Sequence, residues 1–179
     1  LAFKEDLEFI KKFDMDYVYK LTKKTNPANR QQNDKLKKIS SRKWTAFSNR
    51  NNEEVNLAFD GNKITRWSTN EPQFSGAYLT IDMAEHYKIN KISFFLKKHL
   101  YDYPRGYKIE VSNDGVTWNK VVENVDMRIL FFKTVNNQNI RELELKIPPV
   151  QCRFLKITLT EKHNIYWSIN ELSIFGEKV

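Results

Sequence analysis

One cysteine in 179 residues, Cys152, excludes an intramolecular disulfide, so no covalent staple joins two points of this chain. Glycine and proline are scarce, five of each. The glycines never gather into the Gly-x-x-x-x-Gly-Lys loop that cradles phosphate or the Gly-x-Gly-x-x-Gly turn of a dinucleotide site. No run of about 18 apolar residues occurs, which excludes a membrane-spanning helix, and no secretory leader opens the sequence, so we expect a soluble chain as it stands. The Gly-x-Ser-x-Gly nucleophile elbow and the His-Glu-x-x-His zinc helix are missing as well. Carboxylates such as Glu71, Asp102 and Glu161 are abundant, and no pair of them stands out as the acid and nucleophile of a glycosidase. We therefore expect no enzymatic activity in this chain. It begins at Leu1 rather than at Met, from which we expect a piece of a longer protein that carries any enzyme elsewhere.

What is present is unevenly charged. The net charge is +8 and the sequence pI about 9.4. Residues 1–43 hold 12 Lys or Arg against 6 Asp or Glu, whereas the remainder holds 18 against 16. The basic character belongs to an N-terminal arm, and the rest is close to neutral. With no aromatic stacking platform of the ribonucleoprotein type in that neutral part, nucleic acid is discounted as a partner. Within the arm, Phe3, Leu7, Ile10, Tyr17 and Leu21 recur at steps of three and four, flanked by Phe13 and Val18, which predicts an amphipathic α-helix. Pro27 ends the pattern, and residues 29–38 read as a second short helix or a linker. Residues 1–42 are thus read as a basic helical arm and 43–179 as the main domain. The arm's stripe predicts packing against the domain or a neighbouring one. A basic amphipathic helix also contacts anionic membranes, although the interleaved acids weaken that use here.

From Trp44 onward short alternating segments replace the helical period. Residues 78–83, 89–96, 107–111, 143–147 and 154–159 alternate apolar with polar, and turns at Ser112-Asn113-Asp114-Gly115 and near Asn136-Asn137 separate them. Forty per cent hydrophobic content over this length suffices for one ordinary core. These features predict a mostly β protein, an antiparallel β-sandwich with an N-terminal α-helical arm. Cys152 lies in a strand-like stretch and reads as a small buried hydrophobe. Trp44, Trp67, Trp118 and Trp167 read as structural core or loop anchors, Trp67 being the one that could also expose a face to a ligand.

The segment from Ala58 to Trp67 clusters oxygen donors at Asp60, Asn62 and Thr65 around Gly61, and a second cluster follows at Trp167-Ser168-Ile169-Asn170-Glu171-Leu172. Calcium takes six to eight oxygens from carboxylates, amides, hydroxyls and carbonyls, so two such clusters fit one hard cation bridging them. The spacing is not that of an EF-hand. On spacing alone, an ordinary turn capping a strand is the better account of Asp60-Gly61-Asn62.

These residues carry a resemblance. The run Ala58-Phe59-Asp60-Gly61-Asn62, then Thr65-Arg66-Trp67, Tyr78-Leu79-Thr80-Ile81-Asp82, the stretch from Pro104 to Gly115, Trp118, Arg153-Phe154-Leu155-Lys156-Ile157 and the ending from Trp167 to Gly176 resemble the discoidin, or factor V/factor VIII type C, domain family. The likeness extends to its bacterial members, the family 32 carbohydrate-binding modules. It implies jelly-roll connections of the galactose-binding-like type and a structural calcium, or sodium, ion held by the carbonyl of Leu57 and by Asp60, Asn62, Thr65, Asn170 and Glu171. The missing end-to-end disulfide favours the bacterial type. The resemblance further implies glycan binding, to galactose-type or related sugars, on loops at one end of the sandwich. The ligand residues expected there are His99, Arg105, Asn164 and Tyr166, with Tyr101, Phe74 and His163 behind them. Each of these is also the kind of polar or aromatic residue that any solvated loop carries. On this reading the chain is a noncatalytic module tethering a larger secreted, surface or periplasmic protein to glycans. An alternative within the same family is an adhesion module for proteins or acidic phospholipids, using Phe74 and Leu100 as apolar loop tips.

Overall fold

The computed structural model describes residues 7–13, 16–21, 37–96, 101–123 and 142–179. The chain divides into two compact units, residues 1–35 and 36–179. In the first, β1 (Leu7–Phe13) pairs antiparallel with β2 (Asp16–Leu21), with Leu7 opposite Leu21 and Phe13 opposite Asp16. The helix expected over this part of the arm is therefore corrected to a strand pair. Its apolar residues satisfy a period of two as well as one of 3.6, at Leu7 and Phe9 and again at Tyr17, Tyr19 and Leu21. A density of aromatic and β-branched residues favours the extended choice. The second helix or linker expected over residues 29–38 falls largely outside the described residues, and its end, Lys37–Lys38, is a strand.

In the second unit the strands are β3 (Lys37–Lys38), β4 (Thr45–Ser48), β5 (Trp67–Gln73), β6 (Tyr78–Phe95), β7 (Tyr107–Ser112), β8 (Asn119–Val122), β9 (Glu142–Leu159), β10 (His163–Ile169) and β11 (Glu171–Lys178). Single 3-10 segments at Ser41–Lys43 and Asn52–Ala58 are its only described helical turns. The larger sheet runs β3-β11-β6-β9-β7-β8, with β4 also on β6, and β5 pairs with β10. All these pairings are antiparallel. The mostly β, antiparallel sandwich expected from the alternating segments is the architecture found. The hairpin expected at Ser112-Asn113-Asp114-Gly115 joins β7 to β8. There Asp114 Oδ1 accepts from the backbone N–H groups of Val116 and Thr117 at 2.8 Å each, and Gly115 takes φ +76. The turn expected near Asn136-Asn137 lies outside the described residues.

Two strands of 18 residues, β6 and β9, run through the whole unit. The first part of β6 pairs with β4, Thr45 facing Asp82, and the second part with β11, Glu171 facing Phe95. Between Asp82 and Tyr87 the ladder to β9 shifts, and Ala84 adopts φ +66. A left-handed alanine costs about 1 kcal/mol or more, so neighbours must hold it. Asp82 does so, its Oδ1 accepting from Ala84 N–H at 2.8 Å while the Arg153 guanidinium grips both carboxylate oxygens at 2.8 and 2.7 Å.

Alternation puts Leu79, Ile81 and Met83, Tyr107, Ile109 and Val111, and Leu155, Ile157 and Leu159 into one core. Trp67 and Trp167 are fully buried and meet edge to face, 4.9 Å between centroids and 84° between planes. Trp67 is therefore a core anchor, as expected, and its buried indole offers no face to a ligand. Trp44 packs on Phe59. Trp118 lies half-buried beneath the Lys156 ammonium, 3.7 Å from its ring. Cys152 is buried, and burial pushes its thiol up to about 12, as befits a small hydrophobe.

Candidate functional site

The loop after the Asn52–Ala58 segment curls on itself because its polar side chains hydrogen-bond their own backbone. Gly61 takes φ +81, open to glycine at no steric cost. Asp60 Oδ1 accepts from Asn62 N–H at 2.8 Å, and Asp60 Oδ2 accepts from the Thr65 hydroxyl at 2.7 Å. The same hydroxyl lies 2.7 Å from the carbonyl of Asn62, whose side-chain oxygen accepts from Ile64 N–H at 3.0 Å. Two distant residues close the loop. Glu171, buried at the start of β11, accepts from Gly61 N–H through Oε2 at 3.0 Å, and Asn170 donates its amide to the carbonyl of Thr65 at 2.8 Å. Asp60, Asn62, Thr65, Asn170 and Glu171 are thus brought together, and Leu57 lies in the Asn52–Ala58 segment just before them.

The donors assembled are hard oxygens, two carboxylates with a hydroxyl and backbone carbonyls, a set suited to calcium rather than zinc. Among the described residues no group of three or more His, Cys, Asp or Glu gathers, here or elsewhere, so the set at this loop rests on two carboxylates completed by neutral oxygens. The other oxygen of Glu171, Oε1, accepts from the Lys38 ammonium at 3.1 Å.

Four of the seven expected ligand residues, Tyr101, Arg105, His163 and Tyr166, gather around a side chain that the sequence did not single out. Gln73, 3% exposed at the end of β5, donates its amide to the carbonyls of Tyr103 at 2.9 Å and Tyr166 at 3.1 Å, and accepts from Arg105 N–H at 3.1 Å. One buried amide thus ties the segment carrying Tyr101, Tyr103 and Arg105 to the strand carrying Tyr166. The Arg105 guanidinium lies 3.9 Å over the Tyr103 ring and donates to the carbonyl of Tyr101 at 3.3 Å. His163 faces Gln73 across the β5–β10 pairing. Partial burial, and then the positive charge of Arg105, hold the His163 imidazole below its ordinary range. Tyr101 is 68% exposed and Tyr166 42% exposed, so both present ring surface to solvent.

The other expected residues are placed differently. Phe74 is half-buried with the Arg50 guanidinium 4.2 Å over its ring, and Arg50 is itself ion-paired with Glu71. Asn164 is exposed. His99 and Leu100 lie outside the described residues. A further residue missed by the sequence is Asp102, whose Oδ2 takes Arg66 at 3.1 Å and the Ser168 hydroxyl at 2.8 Å.

The model of the F5/8 type C domain matches residues 40–172 of the chain. No curated protein matches it. Among solved structures, the fold resembles a family 32 module of the family 89 glycoside hydrolase of Clostridium perfringens, in complex with GalNAc-β-1,3-galactose. The TM-score is 0.62 at 21% identity, over 78% of this chain and 100% of that one. It resembles equally the family 32 module of Clostridium perfringens NanJ in complex with galactose, TM-score 0.62 at 20% identity over 78% and 98%. A chitosan-binding module from a Paenibacillus sp. IK-5 chitosanase/glucanase gives 0.60 at 17% identity, over 78% and 98%. At these identities the likeness speaks for the fold.

Proposed function

The chain belongs to the F5/8 type C domain family, and on that premise we propose that it is a noncatalytic glycan-binding module of a larger extracellular protein. The single observation that carries this reading is the Gln73-centred cluster, which sets two exposed tyrosine rings beside an arginine and a histidine. A pyranose offers one apolar face and a rim of hydroxyls. A ring such as Tyr166 or Tyr101 stacks on the first, and Arg105 and His163 hydrogen-bond the second. Fixing these groups through the Gln73 amide lowers the ordering cost of binding a small, hydrated ligand. Galactose-type sugars are the first class to test, since two of the similar solved structures hold galactose or a galactose-containing disaccharide.

The same proposal gives the loop at Asp60 a structural role. Leu57 through its carbonyl, with Asp60, Asn62, Thr65, Asn170 and Glu171, would hold a hard cation. When bound, calcium supplies positive charge that offsets the carboxylates of Asp60 and Glu171. The residues themselves fix the loop to the start of β11 through the Gly61–Glu171 and Thr65–Asn170 hydrogen bonds.

A glycan array probed with the full chain tests the function. Binding to galactose- or GalNAc-terminated glycans that falls about five- to thirty-fold in both Tyr166→Ala and Arg105→Ala is the expected result, since a lost stacking or charged hydrogen-bond contact is worth about 1–2 kcal/mol. A blank array at high protein concentration rejects it. The phospholipid alternative has less support. Phe74, one of its two apolar tips, is half-buried beneath Arg50 rather than projecting alone.

A further inference from the structure

Glu171 is a carboxylate with 3% of its surface exposed, and an unpaired charge at that depth is strongly disfavoured. Its neighbours are specific. Oε2 takes the Gly61 N–H at 3.0 Å, and Oε1 takes the Lys38 ammonium at 3.1 Å. Lys38 comes from β3, which pairs at the edge of the larger sheet with β11, Lys38 facing Phe175. A second ammonium stands close by, because Lys63 of the Asp60 loop lies 4.5 Å over the ring of Phe95, the cross-strand partner of Glu171. One ammonium thus bonds a carboxylate of a donor set that, on the cation reading proposed above, also takes a divalent ion, and a second lies on the ring of that carboxylate's cross-strand partner.

We propose that Lys38 is an internal competitor for that cation, neutralising Glu171 when no ion is bound and weakening the site's affinity when one is. This inference rests on the cation reading. An ion arriving at Glu171 meets a like charge on the same carboxylate, and either displaces the ammonium or bears its repulsion. Displacement is easy, since the Lys38 side chain is 46% exposed and its head group regains water on leaving. Exposure also moderates the size of the effect through solvent screening, so the penalty on cation affinity is about ten-fold rather than many orders of magnitude. The metal-free domain correspondingly keeps its loop closed, because Glu171 still has a counter-charge. Lys38 therefore sets how dependent the fold is on the ion.

The test uses the chelator-stripped full chain, with calcium chloride titrated calorimetrically and thermal unfolding followed with and without the ion. Lys38→Met is expected to bind calcium about ten-fold more tightly than the parent, to melt at a lower temperature without it, and to gain more on its addition. Lys38→Arg, which keeps the charge, is expected to match the parent. Equal calcium affinities in the parent and Lys38→Met overturn the proposal, even if the metal-free melting temperature falls, because that pattern assigns Lys38 to the fold alone. No calcium response in any of the three proteins rejects the cation reading itself, and this inference with it.

Discussion

Replacing Gln73 by Leu keeps the volume and removes the side-chain amide that joins the ligand-bearing segments. Three partners lose their contact: the carbonyls of Tyr103 and Tyr166, and the N–H of Arg105. The Tyr103 bond is buried, and removing one partner of a buried hydrogen bond costs about 1–3 kcal/mol. The other two are partly buried and recover some hydration, costing about 0.5–1 kcal/mol each. The sum is about 3 kcal/mol, and a domain of this size loses roughly 3 °C of melting temperature per kcal/mol, so a fall of about 9 °C is expected. Gln73→Glu is the sharper variant. It keeps an acceptor for Arg105 but sets carboxylate oxygen against two carbonyls, and is expected to be no more stable than Gln73→Leu at pH 7. Urea unfolding gives the free energies, and titration with the best array glycan gives the affinity of whatever folds. Should Gln73→Leu lie within about 0.5 kcal/mol of the parent, the range of ordinary surface changes, the argument that this amide holds the loops together fails.

Three further outcomes are expected. Ala84→Gly relieves the left-handed backbone at the bend of β6 and should raise stability by about 1 kcal/mol in urea unfolding; a loss would mean that the strain assigned there is absent. The Arg153 guanidinium, ahead of the cost of burial, holds the Asp82 carboxyl below its ordinary range. Its contribution is therefore complete above the unfolded value near 4 and lost as pH falls through the lowered one, so Asp82→Asn should destabilise at pH 7 with a deficit that shrinks on acidification. His163 titrates below its ordinary value, so the folded chain resists its protonation. Stability should fall as pH drops below about 6.5, and part of that fall should vanish in His163→Gln, as melting curves between pH 5 and 8 would show.

What the sequence revealed depended on whether a feature was local. The strands of the main unit were legible because burial on one face leaves an alternating record at Leu79, Ile81 and Met83 or at Leu155, Ile157 and Leu159. The Asp60 loop was legible because its donors sit within six residues and around the one glycine whose φ the curl requires. The arm misled because Leu7, Phe9, Ile10 and Phe13 fit two periods at once, and composition alone did not choose between them. Gln73 and Asp102 left no signal. Among the described residues Gln73 bonds only to backbone atoms, two of them 30 and 93 residues away, and a backbone carbonyl carries no residue-type mark. The Lys38–Glu171 pair spans 133 residues, and its lysine sat within a run of basic residues that reads as a solvated arm.

The two candidate sites share a frame, which decides how they must be probed. Thr65, at the end of the Asp60 loop, gives its carbonyl to Asn170, while the next residue, Arg66, reaches Asp102 in the segment that carries Tyr101 and Arg105. Ser168 completes the link from β10, its N–H donating to the carbonyl of Asp102 at 3.0 Å and its hydroxyl to the carboxylate. Beneath them Trp67 and Trp167 lock β5 to β10 at full burial. Truncating Arg66, Asp102 or either tryptophan therefore disturbs both sites at once, and lost glycan binding in such a variant says nothing about which site failed. The exposed ring of Tyr166 and the half-exposed ammonium of Lys38 each reach into one site alone. A glycan defect in Tyr166→Ala with unchanged calcium affinity, set against a calcium change in Lys38→Met with unchanged glycan binding, separates the two chemistries. A defect in both readouts from either variant would mean that the shared frame, rather than either ligand set, governs binding.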